Sequence, residues 1–234
     1  MPGEPRVDRL GAVLFDMDGT LVDSEKLWDV ALVDTLASLG GGPLSEAARV
    51  ETVGGNTVHS LRVLFREAGV DPTVDALAAA AEFLQGRAAE LFATGLPWRP
   101  GAVELLGEVH AAGLPAALVT NTERRLADSA LATIGAHWFD VTVCGDEVAH
   151  GKPAPDVYLR AAELLRVPIE DCLAVEDSPT GAAAAEAAGA VVLVVPCEVP
   201  VPPGPARVHR DSLTGLGVSG LADLFAAARA PRVA

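Results

Sequence analysis

An apolar run, Ala12 to Phe15, ends abruptly on Asp16-Met17-Asp18-Gly19-Thr20, and no other stretch restricts the fold of this chain so severely. Consecutive apolar residues closed by turn chemistry read as a strand buried on both faces, the kind found in parallel sheets. Two carboxylates stand one residue apart at its end. In extended backbone, positions i and i+2 point the same way, so Asp16 and Asp18 enter one space beyond the strand. Gly19 permits a left-handed turn and a close approach of backbone amides to a ligand. Paired acids repel and shift each other's pKa unless a cation sits between them. A hard metal with oxygen ligands suits that position.

The rest of the chain supplies the sheet that such a strand needs. Ser24 reads as a helix N-cap with Glu25 in the first turn, and apolar spacing continues to Leu39 before Gly40-Gly41-Gly42-Pro43. Helical patterns follow over 44–53, 57–68 and 73–92. No strand-like alternation interrupts them, which predicts a separate bundle of about four helices inserted after the first strand. Beyond the Gly- and Pro-punctuated residues 94–101, helix and strand alternate. Strands are expected at 115–120, 141–144, 172–176, 190–195 and around Val208. Helices are expected at 102–111, 123–134, 156–165, 180–188 and 219–229. This alternation defines an α/β chain with a parallel sheet covered by helices on both faces. The expected division is a catalytic core, residues 1–23 and 94–234, and a small α-helical cap, residues 24–93. The Pro-rich residues 196–205 read as a surface loop without chemistry.

Ligands of parallel α/β sheets gather at the carboxyl ends of the strands, and four such ends carry functional groups here. The first is Asp16-Met17-Asp18-Gly19-Thr20; the second is Thr120-Asn121. The third segment, Gly151-Lys152-Pro153-Ala154-Pro155-Asp156, enters the fourth helix–strand unit, and the last end is Glu176-Asp177-Ser178. Each has a bland alternative. Thr120 with Glu123 has the form of a capping box, Lys152 alone is usually a surface charge, and Glu176-Asp177-Ser178 could simply cap the next helix. Together on one face they support phosphoryl transfer through a covalent intermediate. Asp16 is the candidate nucleophile, and Asp18 the acid that protonates the departing alcohol and then activates water. Mg²⁺ would be held by Asp16, Asp177 and a backbone carbonyl. Thr120 and the amides near Gly19 would bind phosphate oxygens, Lys152 would neutralise charge, and Glu176 would orient metal waters or Lys152.

Composition narrows the setting. A formal charge of -15 argues against nucleic acid or an anionic membrane as partner. Of 17 basic residues only Lys26 and Lys152 are lysines, which singles out Lys152. Met1 to Arg9 carries no apolar leader, and no apolar run is long enough to span a bilayer. Cys144, Cys172 and Cys197 lack metal or disulfide spacing and read as small buried hydrophobes in a reducing cytoplasm. The five histidines read as ordinary surface or loop residues. A monomer or weak dimer is expected.

The four motifs in this order resemble those of the haloacid dehalogenase superfamily of phosphohydrolases, in the branch with a helical cap after the first strand. The resemblance covers essentially the whole chain. It implies a Rossmann-like core, Mg²⁺, Asp16 as nucleophile and Asp18 as acid/base, with the Asp18 backbone carbonyl on the metal and its side chain free. The dehalogenases themselves lack the second aspartate, so Asp18 implies a phosphate ester as substrate. Similarity is greatest to β-phosphoglucomutase and sugar-phosphate phosphatases. The mutase's histidine on the first cap helix is matched by Trp28, and Val53-Gly54-Gly55-Asn56-Thr57 lacks its Lys/Arg pair, so a phosphatase acting on a small phosphorylated metabolite is expected over a mutase. Glu25, Trp28, Asn56, Thr57 and, less so, Lys26 are the candidates for contacting the leaving group, with Asn121 and Gly19 nearer the phosphate. A phospho-receiver is about half this length, without a helical insertion; a non-catalytic protein would not need the full set of catalytic types.

Overall fold

Strand β1 (Ala12–Phe15) lies at the centre of a parallel sheet, flanked by β2 (Ala116–Val119) and β4 (Cys172–Glu176). Beyond them lie β3 (Val141–Val143), β5 (Val191–Val194) and β6 (Arg207–His209), giving the order β3-β2-β1-β4-β5-β6. The computed structural model describes residues 10–230, so the expectation for Met1 to Arg9 lies outside the described residues. The expected parallel α/β fold is borne out. Strand order turns in opposite directions from β1, placing a topological switch point at its carboxyl end.

Alternation along the strands explains their double burial. Val13, Phe15, Leu173, Val175 and Leu193 join one apolar cluster, whereas Ala12, Leu14, Ala174, Val192 and Val194 join another. Helices α5 (Ala102–Ala111), α6 (Arg124–Ile134) and α9 (Val218–Arg229) cover the first face. Helices α7 (Asp156–Leu165) and α8 (Pro179–Ala188) cover the second. The alanines of α8 let it lie close to the sheet, and Ser178 caps it by accepting from the Gly181 amide at 3.1 Å.

Between β1 and α5 run α1 (Glu25–Ser38), α2 (Glu46–Thr52), α3 (Thr57–Ala68) and α4 (Val74–Phe92). Leu32, Leu36, Leu64, Phe65, Leu84 and Phe92 are buried among them. Helices α2, α3 and α4 begin on the side-chain oxygens of Ser45, Asn56 and Thr73. The segments that enter and leave this insertion run side by side: Asp23 N donates to Pro97 O at 2.8 Å and Arg99 N to Leu21 O at 2.8 Å. Element ends differ from expectation by one or two residues, as fraying ends do.

Several expectations need correction. Ser24 precedes α1 but makes no side-chain cap; its hydroxyl turns to Asp18. Thr120 does not cap α6, because Glu123 occupies that position and the Thr120 hydroxyl accepts from the Thr122 amide instead. Cys144 and Cys172 are buried, whereas Cys197 is only half-buried. The Pro-rich loop contributes Glu198 to an ion pair with Arg49. All five histidines are exposed. No helix among the described residues is long and apolar enough to cross a membrane.

Candidate active site

The sheet register brings the acids together. Phe15 pairs with Val175, and the Asp16 amide donates to Val175 O at 3.0 Å, so the chain beyond β1 runs beside the end of β4. Asp16, Glu176 and Asp177 consequently offer carboxylate oxygens within 4.8 Å of one another, all buried. Gly19 sits at φ +77°, and a β-carbon there would collide with Asp177 Oδ2. Gly181 is needed for the same reason against Glu176, whose oxygens fill the space a β-carbon would take.

Lys152 enters this acidic space from the segment before α7. Its Nζ donates to Asp16 Oδ1 at 2.5 Å, to Glu176 Oε1 at 2.7 Å and to Val119 O at 2.9 Å. Tyr158, the chain's one tyrosine, donates to the same Glu176 oxygen at 2.5 Å. Glu176 is therefore an orienting group for Lys152, and its placement as a direct metal ligand fits less well than an outer position. Burial disfavours the lysine charge, but Asp16 and Glu176 outweigh it and hold the ammonium pKa above its ordinary value.

One lysine does not neutralise three buried acids. Burial, opposed by Lys152 and reinforced by Glu176 and Asp18, pushes Asp16 up to about 7. Burial and the neighbouring Asp16 raise Asp177 well above the usual carboxylate range. Both shifts describe a site short of positive charge. Asp16 and Asp177 fit a hard divalent cation, which takes oxygen ligands and relieves this repulsion.

Asp18 lies in a different environment, ringed by donors. Ser24 Oγ donates to Oδ1 at 2.6 Å and Trp28 Nε1 to the same oxygen at 3.0 Å; Thr122 Oγ1 donates to Oδ2 at 2.7 Å and Thr120 Oγ1 at 3.4 Å. Trp28, expected to meet the leaving group, thus spends its N–H on Asp18 while its ring packs edge-on against Phe92 at 5.7 Å.

The other candidates divide. Glu25 and Thr57 line the pocket above the aspartates. Burial and the Asp18 charge push Glu25 up to about 8. Asn121 also lines it, but its amide is engaged with the Lys152 backbone and with Gly54 O at 3.1 Å, so it braces the core against the insertion. Asn56 instead caps α3, accepting from the His59 amide at 2.9 Å, and Lys26 is exposed away from the pocket lining. Reading the sequence missed Thr122, Tyr158, Arg49 and Gln85. A lone tyrosine on the inward face of α7 was the one available signal.

A switch-point pocket with carboxylates, a buried lysine and hydroxyls at four strand ends defines a hydrolytic α/β enzyme. The model of haloacid dehalogenase-like hydrolases matches residues 10–189, and the chain belongs to that family. Protein CbbY of Rhodobacter capsulatus is 35% identical over 198 residues, 81% of this chain and 86% of that protein. Hexitol phosphatase A of Escherichia coli K12 is 34% identical over 198 residues, 82% of this chain and 87% of that protein. The structure of a CbbY variant from Rhodobacter sphaeroides, in complex with xylulose-(1,5)bisphosphate, superposes with a TM-score of 0.79 at 32% identity. That match covers 91% of this chain and 99% of the other. These relatives bear out the expectation of a phosphoric monoester hydrolase.

Proposed function

We propose that this protein is a Mg²⁺-dependent phosphatase that hydrolyses a small phosphorylated metabolite of the sugar-phosphate class through an aspartyl phosphate on Asp16. One observation carries the reading: Asp16 lies buried at the end of β1, 2.5 Å from Lys152 and beside Asp177, while Asp18 is held apart by neutral donors. Two carboxylates in different environments are suited to different tasks.

An Asp16 oxygen attacks phosphorus and the bond to the leaving oxygen breaks, with Asp18 giving that oxygen its proton. Asp18, now a carboxylate, takes a proton from water; the hydroxide attacks phosphorus, and the bond to Asp16 breaks to release phosphate. Lys152 and Thr120 stabilise the phosphoryl oxygens, with the backbone near Gly19 available to do the same. Mg²⁺ held by Asp16, Asp177 and the Asp18 backbone carbonyl supplies the remaining positive charge. Glu176 and Tyr158 keep Lys152 in place.

Residues 24–93 act as a cap over the core formed by residues 1–23 and 94–234. The Arg49–Glu198 ion pair at 3.0 Å and the Asn121 bond to Gly54 support closure of the two over the pocket, which excludes water during transfer. The charge of -15 and the small pocket favour a cytoplasmic enzyme, monomeric or weakly dimeric, acting on metabolites rather than nucleic acid or membranes.

Rapid acid quench during turnover with a ³²P-labelled sugar phosphate tests the intermediate. Label at Asp16, absent from Asp16→Asn, is the expected result. Label elsewhere, or turnover with no trapped phosphoenzyme, refutes the mechanism.

A further inference from the structure

The pocket has two ends of unlike character, and the end away from Asp16 is informative. Only two cations line the whole pocket, Lys152 and Arg49. Lys152 is engaged by Asp16 and Glu176. Arg49, on α2, donates from Nε to Asp29 Oδ2 at 2.7 Å and from Nη2 to Glu198 Oε2 at 3.0 Å. Its single charge therefore already faces two carboxylates.

The acids are less committed. Glu25 and Glu123 both line the pocket, and neither side chain makes a hydrogen bond or ion pair with another described residue. The same holds for the side chains of Thr57, Ser60 and Gln85, which line the pocket from α3 and α4. Trp28, Leu32 and Leu84 add apolar surface. An incoming molecule thus finds open hydroxyl, amide and carboxyl groups beside hydrocarbon, and no cation that is not already doubly paired.

We propose that the pocket selects by the charge of the leaving group: it takes phosphate monoesters of polyhydroxylated alcohols bearing no second anionic group, and discriminates against bisphosphates and phosphorylated acids. The inference rests on the phosphatase reading above and refines its substrate class. A second phosphate brings close to two negative charges into an enclosed space lined by Glu25 and Glu123. With no free cation to pair it, desolvation is uncompensated and like charges are opposed. Hydroxyls meet the opposite situation, since Thr57, Ser60, Gln85 and Glu25 can each donate to or accept from them. The xylulose bisphosphate bound by the Rhodobacter sphaeroides CbbY variant is thus a ligand of the kind this pocket disfavours.

The test measures phosphate release by the full chain with Mg²⁺ from sorbitol 6-phosphate, xylulose 1,5-bisphosphate and 2-phosphoglycolate, with p-nitrophenyl phosphate as a generic ester. The expected kcat/KM for sorbitol 6-phosphate exceeds that for either anionic competitor by roughly tenfold or more. Freeing Arg49 with Asp29→Asn and Glu198→Gln together is expected to raise the bisphosphate-to-sorbitol-phosphate ratio by about tenfold, chiefly through KM. Glu198→Gln alone, on the loop, moves the ratio the same way and covers the case in which the double variant does not fold. A wild-type preference for the bisphosphate or for phosphoglycolate overturns the inference and leaves the phosphatase standing. An unchanged ratio in the folded variants also overturns it. Release from none of the esters, p-nitrophenyl phosphate included, overturns the phosphatase reading and this inference with it.

Discussion

Replacing Asp16 by Asn should stabilise the metal-free protein while abolishing turnover. The pKa of Asp16 rises from an ordinary 3.8 to about 7, through burial first and despite the Lys152 charge. Below about pH 4 the group is neutral in folded and unfolded chains and contributes nothing. As the pH rises from about 4 to 7, the unfolded chain releases a proton that the folded one retains, so native stability falls across that window. Above pH 7 the penalty is complete, on the order of 4 kcal/mol at about 1.36 kcal/mol per pKa unit. Asparagine carries no such penalty and still accepts from Lys152, though the lysine loses the stronger, charged partner. The net gain is therefore set at about 2–4 kcal/mol at pH 8, a rise in Tm of roughly 5–10 °C for a chain of this size.

Thermal unfolding in EDTA at pH 4.5 and pH 8 measures it. The two proteins should melt together at the lower pH and separate at the higher one. Adding Mg²⁺ should reverse the order, because the wild type gains the ion's binding energy and the variant loses a ligand. A metal-free Asp16→Asn that is less stable than wild type at pH 8 would refute the charge deficit inferred for this site.

Three further substitutions separate the roles of the remaining groups. Lys152→Met should abolish phosphate release and lower urea-derived stability by roughly 3–5 kcal/mol, since it strands Asp16 and Glu176 in the interior; a loss under about 1 kcal/mol would contradict this. Trp28→Phe keeps the edge-on packing against Phe92 but removes the donor to Asp18. Its kcat should fall about tenfold with KM little changed, the worth of one hydrogen bond to a charged group, and an unaltered kcat would dismiss the indole. Gly19→Ala must adopt φ +77° and push Asp177 aside; the Mg²⁺ concentration for half-maximal activity should rise by about tenfold or more, and an unshifted value would exclude Asp177 from the metal site.

Strand and helix order was legible because it depends on local pattern. The run Ala12 to Phe15 could be little other than a buried strand, and Gly and Pro mark the joints of the insertion. The strand-end groups were legible for the same reason: a parallel sheet brings its carboxyl ends to one side whatever the register. Individual hydrogen bonds were not. Nothing local distinguishes Ser24 as a cap from Ser24 as a donor to Asp18, because both need a hydroxyl just before a helix. Asn56 and Thr57 are adjacent in the same loop-to-helix step, and only the direction of approach to the core makes one a cap and the other a pocket residue. Arg49 was passed over because its partners, Asp29 and Glu198, are 20 and 149 residues away in sequence.

The surroundings of Asp18 tie the chemistry to the insertion. Two of its donors, Thr120 and Thr122, follow β2 and belong to the sheet; the other two, Ser24 and Trp28, stand at the start of α1. The core donors hold one carboxylate oxygen and the α1 donors hold the other, so the group is aligned only when α1 lies against the sheet as it does here. Displacing α1 leaves Oδ1 without both partners and frees the side chain to rotate. Asp16 has no such dependence, since Lys152, Glu176 and Tyr158 all come from the core. The nucleophile is thus preorganised at all times, whereas the proton donor is assembled by closure. This arrangement delays alcohol departure until the pocket is sealed, and it places the control of turnover in the first turn of α1 rather than at the metal.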